Sequence, residues 1–170
     1  VLVSIHVSLR QAIEAVTAAN LLQTLQVADR SWTQWHGHRP HIWVAGLNPH
    51  AGEEGLFGQE EIVEISPAVT AAKAQGIQVK GPFPPDTVFM QALQSGVSQP
   101  PDLVIAMYHD QGLIPVKLDG LSQGVNQTLG LPFVRTSPDH GTAFDIAGQG
   151  VADPASLLAA VAAANAHSSP

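Results

Sequence analysis

The sequence contains no cysteine, which excludes both disulfide bonds and thiolate metal sites. Charged residues make up only 12% of the chain, and a net charge of -7 gives no general attraction to nucleic acid or to an anionic membrane. No apolar run approaches the roughly 20 residues that a membrane span requires, and no signal peptide is visible. We therefore expect a globular protein that binds neither nucleic acid nor membrane.

Two local signals are also missing. The chain has no initiator methionine and begins at Val1, inside a run typical of a strand, so we expect it to be part of a longer protein. It has no Gly-x-Gly-x-x-Gly fingerprint, so a Rossmann dinucleotide site is not supported. Its 170 residues fit one domain or two small lobes.

Strand-like and helix-like segments alternate along the chain. Short apolar runs rich in β-formers predict strands, and apolar residues at helical spacing predict helices. The predicted strands are 1–5, 41–47 and 103–106, and the predicted helices are 9–27, 59–75 with a break at Pro67, 86–94 and 155–166. Loops are expected at 30–40, 51–58, 81–85 and 139–153, with glycine-punctuated strand and loop over 112–137. The alternation predicts an α/β fold with an at least partly parallel sheet.

A histidine follows each predicted strand within a few residues. These residues are His6, His50 and His109, and ligands of open α/β sheets collect beyond the carboxyl ends of the strands. Three imidazoles meeting there would form a nitrogen site for a divalent metal that acts as a Lewis acid. The alternative is that they are unrelated polar residues at loop starts, because their spacing matches no local metal motif.

Cationic and amide side chains recur after His109, at Lys117, Asn126 and Arg135. The chain has only seven lysines and arginines, and two of them fall in this glycine-rich stretch. Such donors near a metal suit a phosphate or carboxylate substrate. Ordinary surface charge is the alternative for each of them.

The stretch from 139 to 154 carries three glycines, which permit a close approach of the backbone to a ligand. Within it, the Asp145 carboxylate could accept hydrogen bonds from ribose hydroxyls, as acidic residues do in dinucleotide sites. The alternatives are a flexible surface loop, or an Asp145 that only caps a turn.

Four motifs, found at 46–53, 107–117, 124–133 and 140–154, read GLNPHAGE, MYHDQGLxPxK, GVNxTLGLPF and HGTAFDIAGQGVADP. The last is similar to the nucleotide-binding loop of the isocitrate and isopropylmalate dehydrogenase superfamily. Together the four closely resemble the 4-hydroxythreonine-4-phosphate dehydrogenase family of pyridoxal phosphate biosynthesis. The resemblance covers nearly the whole chain and corresponds to the second half of the family's length. It implies a partial three-layer α/β fold, with residues 1–110 mostly in the dimerisation and metal portion and residues 111–170 in the substrate and nucleotide portion.

The resemblance also implies roles for individual residues. His6, His50 and His109 match the family's metal ligands, which come from both subunits of a homodimer and would hold zinc, magnesium or cobalt. Substrate-contacting positions of the family match Lys117, Asn126 and Arg135, and NAD contacts fall on the loop positions His140, Gly141, Asp145, Gly148 and Asp153. The family's phosphate-binding His-Thr pair has no counterpart here. The departures from the family pattern, at Gln127 and Pro138, touch none of these positions.

The activity implied is the NAD-dependent oxidation of a secondary alcohol on a phosphorylated amino acid, followed by decarboxylation, in a cytoplasmic enzyme. Asp110 is a candidate for proton transfer because it adjoins His109, and its alternative role is to orient an imidazole. Two other functions stay open: a related dehydrogenase acting on another phosphorylated hydroxy acid, such as 4-phospho-erythronate, and an inactive dimerisation or ligand-binding fragment.

Overall fold

The computed structural model describes residues 1–94, 96–120 and 124–168. The chain forms two compact units, Val1–Leu113 and Ile114–Pro170. No helix within the described ranges is long and apolar enough to cross a membrane. The division by itself does not test whether the units correspond to the predicted metal and substrate portions, which stay predictions.

The first unit is built around a three-stranded parallel sheet. The central strand β1 (Ile42–Ala45) is buried at all four positions and lies between β2 (Val79–Phe83) and β3 (Leu103–Ile105). The start of the chain pairs in parallel with the end of β3 through a bridge between Leu2 and Ala106. All these segments run in one direction, so their carboxyl ends meet at a single edge of the sheet.

Helices α1 (Leu9–Ala15) and α2 (Ala18–His36) replace the single helix predicted over 9–27. The break arises because the Thr17 hydroxyl accepts a hydrogen bond from the Asn20 backbone N–H and caps a new helix. The predicted loop at 30–40 is wrong over its first seven residues, which continue α2 up to Gly37 in the left-handed conformation. The apolar face of α2, with Leu21, Leu25 and Ala28 fully buried, packs against α3 (Ser66–Ala74).

The predicted break at Pro67 is confirmed. A π-helical turn (Glu61–Ile65), closed by a hydrogen bond from the Ser66 backbone N–H to the Glu61 carbonyl oxygen, precedes α3, and Pro67, which has no N–H, lies in the first turn of α3. The helix expected over 86–94 is α4 (Val88–Leu93), but Thr87 rather than Asp86 holds the N-cap position.

The turn predicted at 81–85 is wrong over its first three residues, which complete β2, and the chain turns only after Phe83. An edge strand tolerates Pro82, which cannot donate to a ladder. Gly81 has a φ of 136°, and a Cβ there would lie 2.5 Å from the Val44 carbonyl oxygen. Gly81 therefore permits close strand contact where the β1–β2 register shifts.

The glycine-punctuated loop predicted from 112 onwards is also wrong at its start, because α5 (His109–Gly120) begins directly after β3. Gly112 does not break this helix. A Cβ on Gly112 would lie 2.5 Å from Leu2 Cδ2 and 3.1 Å from Ala106 Cβ. The glycine therefore lets α5 approach the first residues of the chain closely.

The second unit contains an antiparallel hairpin of β4 (Val125–Gln127) and β5 (Thr136–Pro138), packed against α6 (Ala155–Ser168). The Thr136 hydroxyl donates to the Ala160 carbonyl oxygen at 2.8 Å across this contact. The Asp153 carboxylate accepts a hydrogen bond from the Ala155 backbone N–H at 2.9 Å and so caps the start of α6. A parallel sheet joined by helices confirms the α/β class.

Candidate active site

His6 and His109 meet at the carboxyl edge of the parallel sheet, with ring centroids 5.3 Å apart. Buried Ser4 fixes the first of them, because its hydroxyl and its backbone N–H both donate to the Met107 carbonyl oxygen, at 3.0 and 3.3 Å. His109 is the first residue of α5. Two imidazoles bound to one tetrahedral zinc have centroids about 5 Å apart, so this pair fits the donor set of a metal centre.

The Asp110 carboxylate contacts one nitrogen of the His109 ring. Its Oδ1 lies 2.7 Å from His109 Nδ1. A carboxylate on one ring nitrogen sets the tautomer and leaves Nε2 available to a ligand. The two side chains also line a cavity of about 270 Å³ with His6 and Tyr108. The contact favours the role of Asp110 in orienting an imidazole over its role in proton transfer.

His50 lies in an unusual loop after β1. Residues 50–54 all have positive φ, between 41° and 82°, and only Gly52 among them is a glycine. A left-handed conformation costs about 1–2 kcal/mol for each non-glycine residue, and such strain persists only where neighbouring structure enforces it. The His50 ring lies 6.2 Å from the Phe57 ring, centroid to centroid.

A buried carboxylate enforces this loop. Glu61 is only 3% exposed, and its Oε1 accepts hydrogen bonds from the backbone N–H groups of Leu47 and Asn48, both at 2.7 Å. Its Oε2 accepts a third from Asn48 Nδ2 at 2.9 Å. Hydrogen bonds to charged groups contribute about 1.5–3 kcal/mol each, so the three together are of the size needed to offset the strain. The sequence analysis did not identify Glu61.

The neighbouring carboxyl group, Glu60, supports the same loop from a more exposed position. Its Oε2 accepts a hydrogen bond from Asn48 Nδ2 at 2.7 Å. The Glu60 backbone N–H and the Asn48 amide together hold the pKa of the Glu60 carboxyl below its ordinary value. The ionised form of Glu60 therefore stabilises the loop at neutral pH, and this contribution is lost as the pH falls through the lowered pKa.

Gln111 was also missed as a functional candidate, although it lies inside a quoted motif. Its Oε1 accepts a hydrogen bond from the Met107 backbone N–H at 2.6 Å, and its Nε2 donates to the Gly46 carbonyl oxygen at 2.8 Å. One side chain thus connects the end of β3 to the end of β1. The signal available in the sequence was its position two residues after His109, at a strand end.

The structure brings together two of the three predicted metal ligands. Among the residues it describes, no three His, Asp or Glu side chains are close enough to share one ion, so His50 does not join the pair within one chain. The family resemblance implies ligands from two subunits. The three-histidine site therefore stays a prediction.

The predicted substrate residues gather around the hairpin of the second unit. Asn126 pairs with Ser137 across the hairpin, and Arg135 lies two residues before Ser137, so the side chains of Asn126 and Arg135 share one face. Arg135 NH1 donates to Thr128 Oγ1 at 2.9 Å on that face. α6 covers the opposite face, where Thr136 bonds to it.

Lys117 lies beside the same hairpin. Its ammonium group is 2.9 Å from Asp139 Oδ2, directly after β5. Asp139 was not predicted, and its role here is to hold the lysine in place. The second unit therefore presents two cations and an amide around one hairpin, an arrangement that suits a phosphate or carboxylate group.

The predicted nucleotide loop is largely exposed. Within it, a short 3-10 turn (Phe144–Ile146) carries Asp145. The Asp145 carbonyl oxygen accepts a hydrogen bond from Gln149 Nε2 at 2.7 Å, so the glutamine side chain closes the turn. The Asp145 carboxylate has no hydrogen bond or ion pair within the described ranges. It does not cap a turn, and it is available to a ligand.

The other predicted loop positions serve the backbone or stay open. His140 Nδ1 lies 2.9 Å from the Gly141 carbonyl oxygen, and Asp153 caps α6. A Cβ on Gly141 or Gly148 would meet no atom within 4 Å. These glycines therefore leave open space beside the backbone, which is the feature that a nucleotide loop needs.

A parallel sheet with paired imidazoles at its carboxyl edge defines an α/β protein of the dehydrogenase-like class. Residues 1–164 match the family described as "Pyridoxal phosphate biosynthetic protein PdxA", and the chain belongs to this family. The match confirms the resemblance carried by the four sequence motifs.

Individual relatives agree with this placement. The chain is 59% identical to a 4-hydroxythreonine-4-phosphate dehydrogenase of Beijerinckia indica, over 92% of this chain and 45% of the relative. It is 51% identical to a D-threonate 4-phosphate dehydrogenase of Pectobacterium atrosepticum, over 94% of this chain and 48% of the relative. A crystal structure of 4-hydroxythreonine-4-phosphate dehydrogenase from Klebsiella pneumoniae superposes with a TM-score of 0.86 at 48% identity, over 99% of this chain and 50% of that one. The chain thus spans about half the length of the relatives that it matches.

Proposed function

We propose that the full-length protein containing this chain is an NAD-dependent dehydrogenase that requires a divalent metal and oxidises 4-phosphohydroxy-L-threonine in the cytoplasm. The C3 hydroxyl would lose a proton while C3 itself transfers a hydride to NAD, and the resulting β-keto acid would release carbon dioxide and take up a proton to give 3-amino-2-oxopropyl phosphate. The observation that carries the proposal is the His6–His109 pair, oriented by Asp110 at the carboxyl edge of a parallel sheet.

His6, His109 and, from the other subunit of a homodimer, His50 are the proposed metal ligands. The fit rests on neutral imidazole donors and on the carboxylate that holds His109 Nδ1. A divalent ion bound there supplies Lewis-acid stabilisation of the negative charge that develops on the substrate oxygen. Zinc, cobalt and magnesium are the candidate ions, and imidazole ligands favour the first two.

Lys117, Asn126 and Arg135 are the proposed substrate-binding residues. The ammonium and guanidinium groups neutralise the charges of a phosphate and a carboxylate, and the amide adds a neutral donor. Lys117 and Arg135 are held in advance by Asp139 and Thr128. Because their positions are set before the substrate arrives, binding loses less side-chain entropy.

NAD is the proposed hydride acceptor, bound along the loop from His140 to Asp153. The free carboxylate of Asp145 would accept hydrogen bonds from the adenosine ribose hydroxyls. The open space beside Gly141 and Gly148 admits a close approach of the nucleotide to the backbone.

A substrate panel on the full-length protein tests the proposal. NADH formation would be followed at 340 nm with 4-phosphohydroxy-L-threonine after treatment with a chelator, and again after zinc or cobalt is restored. We expect activity only when the metal is present, and loss of both activity and stoichiometric metal binding in His109→Ala. Undiminished zinc binding by that variant in a calorimetric titration would show that His109 is not a metal ligand.

D-threonate 4-phosphate is a second candidate substrate, because a relative 51% identical to this chain carries that name. It has a hydroxyl where 4-phosphohydroxy-L-threonine has an amine, so the proposed phosphate and carboxylate contacts serve both. The same panel distinguishes the two substrates by the ratio of their kcat/KM values. It should include 4-phospho-erythronate as a third substrate. A higher kcat/KM for D-threonate 4-phosphate would replace the first proposal.

A further inference from the structure

Two side chains outside the proposed ligand set connect the segments that carry His50 and His109. Gln111 bonds at 2.6 Å to the Met107 backbone N–H and at 2.8 Å to the Gly46 carbonyl oxygen. Met107 precedes His109 by two residues, and Gly46 begins the segment that leads to His50. The Gln111 amide is therefore a direct connection between the two strand ends.

Glu61 holds the same segment at the next two residues. The three hydrogen bonds of its buried carboxylate all end on Leu47 and Asn48. A Cβ on Gly46 would lie 3.1 Å from Glu61 Oε1, and one on Gly52 would lie 2.8 Å from Glu61 Oε2. The carboxylate thus fills the inside of the loop, and the loop is shaped around it.

We propose that Gln111 and Glu61 are positioning residues, which hold the start of α5 and the His50 loop of one chain in fixed places. His109 is thereby kept in place for the metal site of its own chain, and His50 for the site that it completes in the partner subunit. The inference rests on the proposed function, because it assumes that His50 and His109 bind metal. Neither residue touches the imidazoles. They act on the backbone that carries them, and a metal site tolerates little displacement of its ligands.

The chemistry of both groups suits this role. The bridge made by Gln111 needs one acceptor and one donor on separate atoms of the same side chain, and a primary amide provides both. The anchor made by Glu61 needs acceptors only, because all its partners are N–H groups, and an ionised carboxylate is an acceptor at both oxygens. Each substitution below changes one of these properties and keeps the shape of the side chain.

The test uses full-length protein and zinc affinity, measured by competition with a chromophoric chelator. Gln111→Glu keeps the acceptor for Met107 N–H but places a carboxylate oxygen against the Gly46 carbonyl. Its added negative charge would by itself strengthen cation binding, so a loss of affinity reports on geometry.

Glu61→Gln removes one acceptor from the hydrogen bonds that Glu61 makes to the loop. We expect both variants to bind zinc at least ~10-fold more weakly, the range found for groups that orient metal ligands, and to show a changed visible spectrum of bound cobalt.

Matched controls separate positioning from general destabilisation. Gln26→Glu adds the same charge at an exposed Gln26–Gln75 amide pair. Glu64→Gln lies on the same π-helical turn as Glu61, but its carboxylate accepts from the Ala18 backbone N–H of α2 and not from the loop. Neither control should change zinc affinity by more than ~2-fold from wild type. The only effect expected of them is a lower melting temperature of the metal-free protein.

The outcomes distinguish the inference from the function on which it rests. If His109→Ala abolishes zinc binding while Gln111→Glu and Glu61→Gln bind like wild type, the positioning role is wrong and the metal site stands. If His109→Ala binds like wild type, the metal site is wrong and the inference falls with it. If Glu61→Gln does not fold, the result for Gln111→Glu decides, because that side chain lies on the partly exposed first turn of α5.

Discussion

The contact between Asp110 and His109 gives the sharpest single-atom prediction. Replacing Asp110 with Asn keeps an acceptor oxygen near His109 Nδ1 but removes the negative charge, which lies 2.7 Å away in the structure. The imidazole then loses the charged partner that fixes its orientation, and this lowers its affinity for a metal. Removing such a partner typically costs 10–100-fold in metal affinity.

The exposure of the pair places the expected effect at the low end of that range. The Asp110 side chain is 71% exposed and that of His109 is 38% exposed, so water and salt screen the charge. We expect about a 10-fold loss of zinc affinity, or ~1.4 kcal/mol, and a smaller loss at high ionic strength. Chelator competition on full-length protein at low and high salt measures both quantities.

Asp102→Asn is the matched control. Asp102 stands at the start of β3, where its Oδ2 accepts from the His41 backbone N–H at 2.7 Å and lies 3.8 Å from His41 Nδ1. It is therefore another Asp–His neighbour pair, at the end of the strand away from the candidate site. Zinc affinity should not change in this variant. Equal losses in both variants, or wild-type affinity in Asp110→Asn, would refute the orienting role of Asp110.

Three further predictions concern assembly, completeness and cofactor choice. The full-length protein should be a homodimer burying an interface near or above ~1,600 Å², and a monomer by light scattering at high concentration would count against it. Residues 1–170 alone should reduce NAD at least ~10²-fold more slowly than the full-length protein, because the family's His-Thr phosphate contacts are missing. A full-length rate from the isolated segment would contradict this. NAD should be preferred over NADP by at least ~10-fold in kcat/KM, because Asp145 would repel a 2′-phosphate and no Lys or Arg lies between Arg135 and Pro170 to offset it. An unchanged cofactor ratio in Asp145→Ala would show that this residue does not contact the ribose.

Apolar periodicity was sufficient for the α/β class and for the strands that end near His50 and His109, because a buried parallel strand is almost entirely apolar. It was not sufficient for the second half of α2. Residues 30–36 carry Trp and His and read as a polar loop, yet Trp32 and His36 stack at 3.9 Å on successive turns. Similarly, Gly112 suggested a helix break. Its actual role, which is to leave room for Leu2, could not be inferred because Leu2 is far away in sequence.

The candidate site was predictable as a set of functional groups but not as a network. His6, His109 and Asp110 were identifiable because they follow apolar runs that predict strands, although the run at 1–5 forms only an isolated bridge at Leu2. Glu61 was not, because its partners lie 13 to 14 residues away and it belongs to no motif. Gln111 lies in the motif that carries His109, but its bond to Gly46, 65 residues away, could not be read from that motif. Long-range hydrogen bonds of this kind leave no periodic trace in a single sequence.

Anomalous diffraction from zinc-soaked crystals of the full-length protein tests the central claim most directly. The account predicts one strong zinc peak at the carboxyl edge of the sheet in each active site, with nitrogens of His6 and His109 and the partner subunit's His50 at about 2.0–2.1 Å. A fully occupied zinc bound elsewhere, or a soaked crystal whose His6 and His109 have no anomalous peak between them, would contradict it.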